Sequence, residues 1–259
     1  LTTETFELRA DHPKPIPLDP GTQLSPQVTC SATLPYLSRL GVLMWIMRCT
    51  RPDIATSISI IASFSHCFGE SHFTALLCVV RFLKGTREDR LMYVRTDNIP
   101  SGLTRLNLYT DSDYAVCKIT RRSRTGWLLK MGSNVIAYGS TRQSLVTLST
   151  TEAELVAMCE GVRNLVGVIA ILQEFCPAEL PVTTHVDNQG AIAVGSDQVH
   201  NSRSKHIDVR FFFTRELCDD GVIDIIYINT TENPSDIFTK LLPRPAFIKG
   251  RHGLTLTSK

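Results

Sequence analysis

The sequence has little net charge, no long apolar run and no paired cysteines, and each shortage argues against a class of protein. Lys and Arg number 27 against 25 Asp and Glu, a formal net charge of +2, which gives no support for nucleic-acid binding through overall charge. No uninterrupted apolar run approaches the roughly 18 residues that span a bilayer, and the acidic, polar N-terminus does not resemble a signal peptide. With 43% hydrophobic residues the chain is too apolar for disorder. The composition indicates a globular protein.

The eight cysteines are scattered and form no CxxC pair. Several lie within apolar patterns, where a free cysteine acts as a small hydrophobic residue. We therefore expect a reducing compartment. The chain begins with Leu1, so we also expect a processed product or a fragment of a longer protein.

Proline content and periodicity divide the chain into parts. Five prolines fall between Asp11 and Pro26, which favours an extended segment. A helical pattern follows from Tyr36 to about Gly85, and then a polar, turn-rich stretch. We expect an extended Pro-rich leader over 1–35, a helical segment with its linker over 36–104, an α/β domain over 105–243 and a C-terminal tail over 244–259.

The α/β domain is indicated by alternating strands and intervening helical patterns. The first strand, Leu106 to Thr110, runs directly into Asp111, and a hairpin and a long capped helix come next. Further strands are predicted at Leu180 to Val186 and Val222 to Ile228, with helical patterns between and after them. This order predicts a mixed α/β sheet with helices on its faces.

Four acidic residues occupy positions that such a sheet brings together. Asp111 and Asp187 end predicted strands, Glu154 lies in the first turns of the long helix, and Asp236 lies in the first turn of the last helix. Strand ends and helix starts are where α/β sheets gather functional groups. Converging carboxylates suit Mg²⁺, and two ions about 4 Å apart would activate a water for phosphodiester hydrolysis. Taken singly, Glu154 and Asp236 are better explained as solvated charges or helix N-terminal groups, whereas Asp111 and Asp187 fit either interpretation.

The strings around these acids add a specific resemblance. YTDSDYA, TLSTTEAELVA, HVDNQGAI, SKHIDVRFFFTRE and NPSDIFTK occur in this order and closely resemble the ribonuclease H domain of copia-type long-terminal-repeat retrotransposon polyproteins. The match runs from about Leu106 to Leu242. Upstream, YLSRLGVLMWIMRCTRPDIA and HFTALLCVVRFLKGT resemble the stretch that links the reverse-transcriptase thumb to that domain. The polymerase's own YVDD-type motif does not occur, so we predict no DNA synthesis.

The resemblance implies a ribonuclease H-like mixed five-stranded sheet, preceded by a small helical reverse-transcriptase thumb and connection remnant. It implies endonucleolytic cleavage of the RNA strand of RNA–DNA hybrids, with the rest of the reverse transcriptase as a partner, no membrane, and a cytoplasmic (virus-like particle) or nuclear location. Asp111, Glu154, Asp187 and Asp236 match the family's acids and would hold two Mg²⁺ or Mn²⁺ ions. Glu152 is close enough to Glu154 to be confused with it. The alternative is a catalytically inactive scaffold or hybrid-binding module with vestigial acids.

A further set of residues near the acids could contact nucleic acid. A basic run in the loop after the first strand could grip phosphates, or could be ordinary solvated surface. Polar neighbours of the acids could contact sugar and phosphate or cap helices, and a histidine at a helix start has packing as its commoner explanation. The candidates are Ser112, Lys118, Arg121, Arg122, Arg124, Thr151, Asn188, Gln189 and His206.

Overall fold

The computed structural model describes residues 12–27, 33–95, 104–196 and 205–257. Within these ranges the helices are α1 (Tyr36–Cys49), α2 (Ala55–Ala62), α3 (Glu70–Gly85), α4 (Thr150–Leu172), α5 (Gln189–Ser196), α6 (Lys205–Asp219) and α7 (Arg244–Gly253). The strands are β1 (Arg90–Leu91), β2 (Leu106–Asp113), β3 (Arg124–Met131), β4 (Asn134–Arg142), β5 (Val182–Val186), β6 (Ile223–Tyr227) and β7 (Leu256–Thr257). They form two compact units, one of residues 1–92 with 240–259 and one of residues 93–239.

The first unit is helical and is built from both ends of the chain. It contains α1, α2, α3 and α7, and β1 pairs with β7 in antiparallel fashion. The sequence suggested a tail over 244–259, but the described part of this segment contains α7 and β7. Within the Pro-rich leader, the described part from 12 to 27 has no helix or strand, and Ile16 and Leu18 are buried.

A buried ion-pair network joins the C-terminal helix to the rest of this unit. Arg51 donates two hydrogen bonds to the carboxylate of Asp53, at 2.9 and 2.8 Å, and Arg251 of α7 donates a third at 3.0 Å. Arg251 also bonds Asp89. Both guanidinium groups lie over the ring of Phe82, 5.3 and 5.6 Å from its centroid. Asp53 is 2% exposed, so these two arginines are the partners that compensate its removal from water.

The second unit is the predicted mixed sheet, with five strands in the order β4-β3-β2-β5-β6. β2, β3 and β4 are antiparallel neighbours, whereas β2, β5 and β6 run parallel. The prediction of a five-stranded mixed sheet with flanking helices is confirmed. β2 is longer than its alternating pattern suggested, because its pairing with β3 continues through Asp111 to Asp113.

Helix α4 packs against the centre of this sheet and forms its core. Met158, Val162 and Leu165 of α4 are buried with Leu108 and Leu129 of the strands. Burial of each such side chain stabilises the fold by about 1.5–3 kcal/mol. With 23 residues of high mean hydropathy, α4 is long and apolar enough to cross a membrane by composition alone, but its apolar face here lies against strands.

Gly161 brings α4 close to β2. A Cβ atom at this position would lie 2.8 Å from Cγ2 of Thr110 and 3.3 Å from Cδ1 of Leu108. Glu154 lies two helical turns earlier on the same face of α4. The close approach therefore directs the carboxylate of Glu154 towards the end of β2.

The ion-pair network of the first unit yields a prediction. We expect Asp53→Ala to lower the free energy of unfolding of that unit by about 3–5 kcal/mol, because it leaves buried arginines without their partner. Native-state hydrogen exchange at the amides of α1–α3 measures this for the first unit separately. The control is Arg87→Ala, which removes an exposed pair with Glu88 and should cost less than about 1 kcal/mol. Equal protection in the two variants would contradict the role of the network.

Candidate metal centre

Three of the four predicted acids meet at the end of the central strands. One ligand oxygen each of Asp111, Glu154 and Asp187 lies within 4.8 Å of the others. Asp111 is in β2, Asp187 directly follows the parallel neighbour β5, and Glu154 is in the second turn of α4. Parallel pairing of β2 with β5 carries both aspartates to the same edge of the sheet, and α4 supplies the glutamate from one face.

Glu154 is a buried member of this cluster, at 6% exposure. Ser112 donates to its Oε1 twice, from the backbone N–H at 3.1 Å and from Oγ at 2.7 Å. Burial raises the pKa of Glu154 to about 9, and the charge of Asp111 adds to the rise. The Ser112 hydrogen bonds oppose this shift, and the charge of Asp187 raises the pKa further by a smaller amount. The cluster therefore favours a proton on Glu154 when no cation is present.

The donor set fits a hard divalent cation. Oε2 of Glu154 is buried and has no hydrogen-bond partner within the described part of the chain. Three carboxylates at this separation repel one another in a partly buried site. A cation such as Mg²⁺ would provide positive charge and accept oxygen ligands of this type, so these residues are suited to hold one.

Asp236 is not part of the group of three. It was expected in the first turn of an α-helix, but Pro234–Phe238 forms a 3₁₀ helix of five residues. The side chain of Asn233 caps its start by accepting from the N–H of Ser235. The N–H of Thr239 donates to the Asp236 carbonyl three residues earlier, which is the hydrogen-bond spacing of a 3₁₀ helix. Asp236 is half-buried in this turn.

This 3₁₀ helix is attached to β2 by side chains that the sequence analysis did not single out. Nδ2 of Asn233 donates to the carbonyl of Thr110 at 2.9 Å, and Oγ1 of Thr239 donates to Oδ2 of Asp111. At the other aspartate, Oγ1 of Thr230 donates to Oδ2 of Asp187 at 2.8 Å. Each of the two site aspartates is thus held by a threonine hydroxyl from the C-terminal part of this unit.

The predicted polar neighbours of the acids have mainly local roles. Ser112 holds Glu154, as described above, and Oδ1 of Asn188 accepts from the N–H of Ala191 at the start of α5 at 2.9 Å. The N-cap of α4 is Ser149, which accepts from the Glu152 N–H, so Thr151 is in the first turn and not the cap. Gln189 is exposed at the start of α5.

The residues of the basic run lie in two different environments. Lys118 and Arg121 are exposed and Arg122 is half-buried in the loop between β2 and β3. Arg124, which was expected in the same loop, is instead the first residue of β3 and is 6% exposed. Burial lowers the pKa of Arg124 to about 10, and the facing Asp113 opposes this shift. Arg124 is thus buried beside an acidic neighbour, whereas Lys118 and Arg121 face solvent.

Backbone hydrogen bonds hold the loop between β2 and β3 in a tight turn. The N–H of Arg121 donates to the carbonyl of Cys117 at 2.7 Å, and the N–H of Cys117 donates to the carbonyl of Arg122 at 3.2 Å. Arg121 has a φ of 54°, in the left-handed region. His206 falls in the first turn of α6, and its side chain lies outside the described residues.

The raised pKa of Glu154 predicts how the metal-free protein responds to pH. The folded state holds a proton on Glu154 up to about pH 9, whereas the ordinary value is 4.5. The folded state therefore binds more protons than the unfolded state between these values, and stability should fall as pH rises through them. We expect Glu154→Gln to flatten this fall, because the amide cannot ionise. Urea denaturation in EDTA from pH 5 to about 9 measures the slope.

Glu152→Gln is the matched control, because Glu152 lies on the same helix and bonds the N–H of Leu148 near solvent. This variant should keep the pH dependence of the parent. A slope in Glu154→Gln as steep as that of the parent would contradict the assignment of the proton to Glu154.

Known proteins are similar to this chain over most of its length. It is 35% identical over 253 residues to the retrovirus-related Pol polyprotein from transposon TNT 1-94 of Nicotiana tabacum, covering 94% of this chain and 18% of that protein. It is 29% identical over 239 residues to the Pol polyprotein from transposon RE1 of Arabidopsis thaliana, covering 90% of this chain and 16% of the relative. The chain thus spans less than a fifth of these relatives.

No protein-family model matches the chain. Among solved structures, the N-terminal RNase H domain of rv2228c from Mycobacterium tuberculosis is similar with a TM-score of 0.41 and 11% identity, covering 57% of this chain and 97% of that one. The similarity to the Pol polyproteins extends through both units. The chain belongs to the copia-type retrovirus-related Pol polyproteins.

Proposed function

We propose that this chain is a metal-dependent endonuclease that cleaves the RNA strand of RNA–DNA hybrids during retrotransposon reverse transcription. The observation that carries the proposal is the gathering of Asp111, Glu154 and Asp187 within 4.8 Å at the end of a mixed sheet. Membership of the Pol polyproteins supports it, because reverse transcription produces such hybrids and requires removal of their RNA. The strings around the acids resemble ribonuclease H domains, which supports the same reaction.

In this proposal the acids hold two divalent cations. Asp111, Glu154 and Asp187 would bind them, with Asp236 as the fourth ligand from the neighbouring 3₁₀ helix. When bound, Mg²⁺ or Mn²⁺ would neutralise charge on the scissile phosphate and lower the pKa of the attacking water. The protein's own part is to fix the carboxylates: Ser112 holds Glu154, Thr230 holds Asp187 and Thr239 holds Asp111.

The loop between β2 and β3 would bind the sugar-phosphate backbone of the hybrid. Lys118, Arg121 and Arg122 lie within eleven positions of Asp111 in sequence and on the loop that leaves its strand. Contacts of this type provide affinity and register, not sequence selectivity. Arg124 takes no part in this role, since it is buried beside Asp113.

Cleavage of a labelled RNA–DNA hybrid with Mg²⁺ tests the reaction. We expect the parent to cleave the RNA strand and Asp111→Asn to cleave it at least about a hundredfold more slowly, since charge stabilisation of the transition state is worth several kcal/mol. The control is Asp224→Asn, the same change at an exposed position of β6, which should cleave like the parent. No cleavage by the parent, or equal cleavage by Asp111→Asn, would overturn the proposal; hybrid binding without cleavage would favour the scaffold alternative.

The salt dependence of hybrid binding tests the basic loop. In an Asp111→Asn background, which prevents cleavage, we expect Arg121→Ala with Arg122→Ala to reduce the slope of log affinity against log salt by about 0.9 for each phosphate that the loop no longer neutralises. Arg105→Ala, at the opposite end of β2 and paired with Glu179, should leave the slope unchanged. An unchanged slope in the loop variant would show that the loop is ordinary solvated surface and does not bind phosphates.

A further inference from the structure

We infer that Thr239 is a positioning residue for Asp111, whose hydroxyl sets the orientation of that carboxylate for the cation. The inference depends on the proposed function only in assigning Asp111 to a metal. Thr239 lies directly after the 3₁₀ helix, 128 residues along the chain from Asp111.

The contact is buried on both sides. Thr239 is 1% exposed and Asp111 3% exposed, and Oγ1 of Thr239 donates to Oδ2 of Asp111. A hydrogen bond from a neutral hydroxyl to a buried carboxylate is charge-assisted. Because it is directional, it fixes the rotation of the carboxylate and with it the placement of its oxygens towards Glu154 and Asp187.

The threonine is itself held in one orientation. Gly126 of β3 is the register partner of Asp111, and a Cβ atom there would lie 2.6 Å from Cγ2 of Thr239 and 3.0 Å from the carbonyl oxygen of Ser235. The glycine leaves space for the methyl group to pack against the strand. A β-branched side chain with its methyl group packed has few rotamers left, so the hydroxyl stays beside its two acceptors, Oδ2 of Asp111 and the carbonyl oxygen of Asp236 at 3.0 Å.

The 3₁₀ helix is anchored to β2 at both ends. Before it, Nδ2 of Asn233 donates to the carbonyl of Thr110 at 2.9 Å, and after it Thr239 bonds Asp111. Oδ1 of Asn233 accepts from both Oγ and N–H of Ser235, at 2.6 and 3.1 Å. Two consecutive residues of β2 thus hold the turn that carries Asp236, and Thr239 couples that turn to the metal-binding carboxylate.

Three variants of the full chain test this role. Thr239→Val keeps the methyl packing but removes the donor, and Thr239→Ser keeps the donor. Thr184→Val is the control: it makes the same change in β5, at a buried hydroxyl without a hydrogen-bond partner in the described residues. Mg²⁺ affinity is measured by isothermal titration calorimetry, and urea denaturation in EDTA confirms that each variant folds.

We expect Thr239→Val to bind Mg²⁺ about 10- to 100-fold more weakly, as is typical when a hydrogen-bond partner of a metal ligand is removed. Thr239→Ser should recover most of the affinity and Thr184→Val should match the parent. The inference would be overturned if Thr239→Val bound Mg²⁺ as tightly as the parent, or if the Ser and Val variants bound it equally weakly. In either case, cleavage of the hybrid by the parent would leave the proposed function intact. The expected pattern of affinities together with no hybrid cleavage by the parent would support the role of Thr239 and overturn the proposed reaction.

Discussion

The second unit is organised around the mutual repulsion of three carboxylates whose ligand oxygens lie within 4.8 Å of one another. At an effective dielectric constant of about 20, two full charges at this separation repel by about 3–4 kcal/mol. The fold accommodates this in two ways. A proton is favoured on Glu154, and each carboxylate has a hydroxyl donor, from Ser112, Thr230 or Thr239. The same features prepare the site for a cation, which would replace the proton and offset most of the local negative charge.

Net charge is a poor guide to the partner of such a protein. The total of +2 combines an acidic cluster with an exposed basic loop that leaves the same strand, so the opposite charges cancel in the sum but not in space. Burial also decides which of these charges are exposed to a partner. Arg124 lies beside Asp113 within the sheet, whereas Lys118 and Arg121 are exposed, although all three belong to one basic run in the sequence.

The sequence predicted the sheet and the approach of three acids because both follow from local patterns. Alternating strands and a capped helix have periods that can be read within ten residues, and parallel pairing then places Asp111 and Asp187 together. What could not be read is non-local. Thr239 and Asp111 are 128 residues apart and Thr230 and Asp187 are 43 apart, so these bonds depend on register and on the 3₁₀ turn. Arg251 and Asp53 are likewise 198 residues apart. No local pattern therefore marks α7 as part of the first unit, and a tail was predicted there.

The boundary of the second unit follows from backbone hydrogen bonds that the periodicity does not reveal. A start at 105, where the alternating pattern begins, would remove Thr104, whose N–H donates to the carbonyl of Pro177 and whose carbonyl accepts from Glu179. It would also remove Val94, which Asn134 binds through both side-chain groups at 2.7 and 2.8 Å. Thr104 is 1% exposed, and buried backbone groups that lose their partners cost free energy. This unit, which runs from Tyr93, therefore needs at least Thr104. Its last residue is Thr239, and a shorter C-terminal boundary would therefore remove the hydroxyl that holds Asp111.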